Sequence, residues 1–254
     1  MRTIVAALLV CLAAAAGADE RRAVVVRDGA REVTVDLARL VRLSVTLTDS
    51  TDGGRRKQLD GVLLSRVLAA LPAPAGADAV AVRCDDGWMA LVPLAAVARH
   101  TPVLAFAEEG RPLAPPRGPV FLVWADEAAR TDPEVTEAWA WSVAAFEYVR
   151  TREALAPSEP RPGAPPAVRR GAALFRRHCL SCHAARGFGG MSGWDLARPG
   201  IVAYRGEPRV RAYVTDPRRI NPDGRMPPFA GRIAGRDLDD LIAYLKSVGE
   251  PIPR

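Results

Sequence analysis

The chain has 254 residues, 49% apolar and 25% charged, a balance that excludes a disordered chain and a multi-span membrane protein and leaves room for two modest domains. The formal net charge of +6 is unevenly spread. From Ala167 onward there are sixteen Lys and Arg against eight Asp and Glu, or +8, and without the first eighteen residues the remainder carries about −3.

In chain order, Arg2, an apolar run from Ile4 to Ala16 and the small residues Ala16-Gly17-Ala18 read as an export signal over residues 1–18. An uncleaved anchor is the alternative, but the run is short for a bilayer span, and no later stretch is long enough. Cys11 falls within the expected signal, with Val10 too bulky before it for a lipoprotein site. Export to the periplasm and no nucleic-acid partner follow as expectations. The basic half suits an acidic partner surface, and equally a plain solvated face.

Residues 19–155 read as a mixed α+β domain. Ala23 to Arg27, Glu32 to Leu37 and Val41 to Leu47 are strand-like. Leu63, Leu64, Val67, Leu68 and Leu71 share one face of a predicted helix. Ala79 to Cys84 and Trp88 to Val92 read as strands joined by Asp85-Asp86-Gly87. Val120 to Trp124 is a further strand, and Ala138 to Val149 closes the domain, partly as strand. Residues 156–166, APSEPRPGAPP, hold five prolines and predict an extended, semi-rigid linker. Residues 167–254 then turn helical: Val168, Gly171, Phe175 and Cys179 lie on one face, and Leu238, Leu241, Ile242 and Leu245 form a second stripe.

After signal removal three cysteines remain, an odd number that argues against a disulfide framework. Cys84 fits a buried small hydrophobe in a strand. The other two form Cys179-Leu180-Ser181-Cys182-His183, a C-x-x-C-H haem attachment site. Two thiols three residues apart on a helical turn reach the two vinyl groups on one porphyrin edge, and the following His183 meets the iron. A redox dithiol would not need that His, and a zinc site needs a second ligand pair that the chain lacks. The expectation is one covalent haem c.

Met226, in Met-Pro-Pro-Phe, stands 43 residues beyond His183 and is the expected second axial ligand. Proline after it stiffens the loop, and a thioether raises the potential relative to a second imidazole. Met191 is the rival, eight residues after His183 and on the proximal side. Trp194, Tyr204, Arg205 and Asn221 are candidates for hydrogen bonds to the haem propionates, against the plainer reading of surface or packing residues.

The segments RRGAALFRRHCLSCH, RMPPF and DLDDLIAYL make residues 167–249 resemble a class I cytochrome c domain. The resemblance implies a crossing of N- and C-terminal helices through Gly171, Phe175 and Tyr244. The family often has Gly-Pro-x-Leu after the haem motif, with the proline carbonyl accepting the proximal His N–H. This chain has Gly193-Trp194-Asp195-Leu196, which leaves open the acceptor for His183.

Residues 23–150 resemble the sulfite-oxidase-like molybdopterin-binding fold through LDGVLLSRVLAAL, RCDDGWMALVP, VLAFAEEGRPL, PRGPVFLVW and AWSVAAFEYV. Catalytic members carry a molybdenum-binding cysteine upstream of the first of these. The corresponding stretch, Leu47 to Leu59, has none. The domain is therefore expected to dock or support, without molybdopterin. The leading reading is a monohaem electron carrier serving redox protein partners. The alternatives are a molybdopterin-dependent oxidoreductase with a fused haem acceptor, and a haem-based redox or gas sensor.

Overall fold

The computed structural model describes residues 22–49, 54–135, 138–198 and 200–249. The expected signal segment lies outside them. Among the described residues no helix is long and apolar enough to cross a membrane.

Among the described residues, two five-stranded sheets and two short helices build the N-terminal part. The first sheet uses β1 (Ala23–Arg27), β2 (Glu32–Asp36), β5 (Ala79–Cys84), β6 (Met89–Pro93) and β10 (Val143–Val149), in the order β2-β1-β10-β5-β6. Only β1 and β10 pair in parallel within it. The second uses β3 (Leu43–Asp49), β4 (Arg55–Leu63), β7 (Val103–Glu108), β8 (Arg111–Pro112) and β9 (Phe121–Val123). It is antiparallel, ordered β3-β4-β7-β8 with β9 also on β7. Helices α1 (Leu64–Leu68) and α2 (Leu94–His100) pack into the core with Val24, Val26, Val80, Val82, Leu104, Leu122, Trp124 and Phe146. Trp124 Nε1 donates to the Ala138 carbonyl at 3.0 Å and Tyr148 Oη to that of Leu68 at 3.0 Å, so both aromatic heads are satisfied while their rings are buried.

At β5 and β6 the first sheet is covered on both faces. Along β5, Val80, Val82 and Cys84 point into the N-terminal core, whereas Ala81 points away from it into the core of the C-terminal part. Met89 and Leu155 join Ala81 there, with Leu91 and Val149 packed alongside. Two-sided burial explains why β5 reads AVAVRC, a near-continuous apolar run, instead of alternating. Cys84 is buried as expected, and burial, then Asp86 and Asp85, push its thiol up to about 12.

The expected linker is less extended than its prolines suggest. Helix α3 (Thr151–Leu155) runs into a single 3-10 turn, Ala156–Ser158, and Pro166 already opens α4 (Pro166–His178). Ser158 is buried, its carbonyl accepts Tyr244 Oη at 3.0 Å, and Glu159 pairs with Arg176 at 2.7 Å. Proline at the first helical position needs no N–H partner, so Pro166 starts a helix where the composition reads as spacer.

In the C-terminal part α4 crosses α7 (Arg236–Val248); α5 (Ile201–Arg205) and α6 (Glu207–Thr215) lie between them in sequence. At the crossing, a Cβ on Gly171 would collide with the Asp240 carbonyl and lie 2.7 Å from Tyr244 Cβ. Phe175 and Tyr244 meet beside it, ring centroids 5.4 Å apart. Arg170 grips the buried Asp240 carboxylate with two hydrogen bonds of 2.6 and 3.0 Å, the planar fork suited to a carboxylate. Gly171→Ala is expected to destabilise the fold by about 1–3 kcal/mol through overpacking, measured as a lower thermal midpoint. An unchanged midpoint would contradict the close crossing.

His100 ends α2 inside the N-terminal core. Its Nδ1 lies 2.9 Å from Asp126 and its Nε2 2.8 Å from Asp132, and its ring meets the edge of Trp124. The hydrogen bonds to Asp126 and then to Asp132 raise the imidazole above its ordinary pKa. A raised folded-state pKa gives stability that is complete below the unfolded value of about 6.5 and is lost as pH rises through the folded value. His100→Gln is therefore expected to remove this part of the pH dependence, read from denaturant midpoints measured across neutral pH. Identical pH slopes in both proteins would refute it.

Candidate functional site

Helix α4 ends at His178, and the backbone then closes a turn. The Cys182 amide donates to the Cys179 carbonyl at 3.1 Å and the His183 amide to the same oxygen at 2.8 Å. This turn brings Cys179, Cys182 and His183 together. Both cysteines are free, half-buried thiols. Burial, then the neighbouring Cys182, pushes Cys179 up to about 12, and burial, then Asp86, raises Cys182.

A short hairpin follows, β11 (Ala184–Ala185) with β12 (Phe188–Gly189). Its turn residues Arg186 and Gly187 both have positive φ, 55° and 91°, the left-handed pair favoured in two-residue hairpins. The Asp195 carboxylate locks that turn. It accepts from the amides of Arg186 at 3.1 Å, Gly187 at 2.7 Å and Ala197 at 2.9 Å. Segment 190–196 is also laced to the haem motif: the Gly190 amide donates to Leu180, Gly193 to Cys182 and Leu196 to Ala184, at 2.8, 2.8 and 2.9 Å.

This lacing sets the acceptor for His183. Nδ1 of His183 lies 2.9 Å from the Trp194 carbonyl. Trp194 thus fills the role expected of the proline in Gly-Pro-x-Leu, and it does so through backbone, which any residue provides. With Nδ1 donating, Nε2 is left as the lone pair. Burial lowers the His183 pKa below its ordinary value, against the smaller opposing effect of the Trp194 bond, and so favours the neutral ring that a metal requires. Gly193 packs against the imidazole so closely that a Cβ there would collide with the ring.

Met226 is partly buried against the cluster that contains Leu180, Phe175 and Cys179. Its loop is anchored just beyond it. Phe229 is buried, its amide donates to Val214 at 3.1 Å, and its carbonyl accepts from Ile233 at 2.8 Å. The Phe229 ring lies 6.3 Å from that of His178, which ties the Met loop back to α4. Met191 is 80% exposed, and its amide bonds to Gly87 of the N-terminal part. Trp194, Tyr204 and Arg205 gather in one place: the guanidinium stands 4.7 Å from the first ring and 4.9 Å from the second. Asn221 is exposed in a separate turn, where its carbonyl accepts the Gly224 amide at 3.0 Å.

The donor set fits a covalently held haem: two unpaired thiols and a neutral imidazole converge in one turn, and a thioether side chain lies in the same apolar cluster. Among the described residues no group of three or more His, Cys, Asp or Glu is placed to hold a bare metal ion. Asp195, Gly193 and the turn at Asp85–Gly87 were not singled out by sequence as parts of this site. Gly-x-Asp just past a haem motif is the local signal for the first two, because Asp accepts neighbouring amides and Gly permits close approach.

Residues 166–245 match the family model described as cytochrome C oxidase, cbb3-type, subunit III. These residues are a cytochrome c domain. Such a domain implies covalently bound haem c and electron transfer to redox partners. No curated protein matches the chain. A solved structure of the sulfane dehydrogenase SoxCD from Paracoccus pantotrophus is similar at 14% identity and a TM-score of 0.40, over 52% of this chain and 39% of that one. The chain spans about two-fifths of the solved chain's length, and a likeness this distant carries no argument about fold or activity.

Proposed function

We propose that this chain is an exported monohaem c-type cytochrome that passes single electrons through a haem ligated by His183 and Met226. The N-terminal domain, of sulfite-oxidase-like fold, supports or docks it without catalysis. The observation that carries the reading is the His183 ring, committed through Nδ1 to the Trp194 carbonyl in the same turn as two free thiols.

Cys179 and Cys182 would hold the haem covalently, and His183 and Met226 would ligate its iron. When bound, the haem supplies a one-electron iron couple. The Trp194 carbonyl orients His183 and keeps its tautomer fixed, which raises the basicity of the ligating nitrogen. Met226, as a neutral soft donor, favours the reduced state. Held by both His183 and Met226, the iron would carry electrons and would not bind substrate. Arg205, stacked on Trp194 and Tyr204, is a candidate for binding the propionates. The +8 charge of residues 167–254 supports an acidic docking surface on the redox partner.

Two variants test this. Replacing Cys179 and Cys182 together by Ser is expected to abolish haem that survives acid-solvent extraction. Met226→Ala is expected to open the sixth position, so that the reduced protein binds CO, and to lower the midpoint potential by about 59 mV or more, a tenfold change in a one-electron equilibrium. A Met226→Ala protein with an unchanged spectrum and no CO binding would show that another group is the ligand.

A further inference from the structure

The first sheet reaches the haem motif through the turn between β5 and β6, and the contact is built from backbone. The Met89 amide donates to the Ser181 carbonyl, inside Cys-x-x-Cys, at 2.9 Å. The Met191 amide donates to the Gly87 carbonyl at 2.7 Å, and Ser192 Oγ donates to the Asp86 carbonyl at 2.9 Å. One turn from this domain therefore holds the haem-bearing loop at both ends, before and after His183. Arg83 adds a third tie: its guanidinium donates to the Gly189 carbonyl at 2.7 Å, lies 5.9 Å from the Phe188 ring and pairs with Glu147 at 3.3 Å. Beneath these bonds Ala81 and Met89 are buried with Leu180 in one apolar cluster.

The turn is specialised for close approach. Gly87 has φ of +83°, and a Cβ there would lie 2.6 Å from the Ser192 amide nitrogen and 2.7 Å from the Met191 carbonyl carbon. The Asp86 carboxylate is fixed by the Trp88 amide at 2.9 Å. Its own backbone carbonyl is the acceptor for Ser192 Oγ, which sets the charged residue directly against the haem-bearing loop.

We propose that this turn is a positioning device for the haem loop, with Asp86 acting as a fixed negative charge that lowers the reduction potential of the haem. The proposal rests on the cytochrome reading above. A nearby anion stabilises the oxidised iron, which carries one more positive charge, over the reduced iron. The N-terminal domain is thereby a working part of the redox centre and more than a tether. Asp86 is a positioning and tuning residue; it ligates nothing.

The test uses the full-length holoprotein. Asp86→Asn keeps the acceptor for the Trp88 amide and removes the charge. Its midpoint potential is expected to rise by a threefold to tenfold change in the one-electron equilibrium, up to about 59 mV. Asp85→Asn is the control for charge alone and is expected to shift it by less than half as much. Gly87→Ala is expected to speed hydrogen exchange at the Met89 and Met191 amides at least tenfold, a readout independent of electron transfer. Equal shifts in the two Asn variants, no shift in Asp86→Asn, or unaltered exchange in Gly87→Ala would overturn the proposal. Should Gly87→Ala fail to fold, the pair of Asn variants decides it. Wild-type protein without covalent haem would instead sink the electron-transfer reading itself.

Discussion

The hydrogen bond from His183 Nδ1 to the Trp194 carbonyl is the constraint on which the site depends. A ring with one nitrogen committed can offer only the other, so one bond fixes both the tautomer and the direction of the ligating lone pair. That carbonyl is itself held from two sides. Asp195 locks the 186–187 turn with its carboxylate, and the amides of Gly190, Gly193 and Leu196 lace the segment that follows to the haem motif. Little of this is side-chain chemistry, which explains how Trp can stand where proline is frequent without losing the acceptor.

The same economy governs the junction of the two parts. Burial on both sides leaves the N-terminal domain no free face at β5 and β6, because Ala81 and Met89 belong to the neighbouring core. The amide of the buried Met89 finds its acceptor only across that junction, at Ser181, and leaving it unpaired would cost about 1–3 kcal/mol. The residues between α3 and α4 are also pinned, through Ser158 on Tyr244 and Glu159 on Arg176. The junction is thus tied at the sheet, at the turn and at Ser158 and Glu159 of the connection.

The chemistry was more legible in the sequence than the architecture. Cys-x-x-Cys-His is legible as a haem attachment motif because covalent attachment demands that spacing, and its three side chains fall in one turn. The stripes at Gly171 and Phe175 and at Leu238 to Leu245 repeat with the helical period and fall on the crossing helices. The strands at Ala79–Cys84 and Met89–Pro93 were visible from their flanking turn. The pairing of β1 with β10 was not, since it joins residues over a hundred positions apart and no local pattern records it. Helix α2 leaves no clear sequence signal, because Leu94–His100 is seven residues long and follows proline, too short for a clear period. Arg83 and Asp86 were illegible as parts of the site because their relevance comes only from what the other domain places against them.

One measurement bears most directly on the claim of a single closed haem. Metal analysis of the purified full-length protein, taken together with a spectroelectrochemical titration, is expected to give one iron per chain, no molybdenum, and one Nernst wave for a single electron. Stoichiometric molybdenum, or a second redox wave, would contradict it.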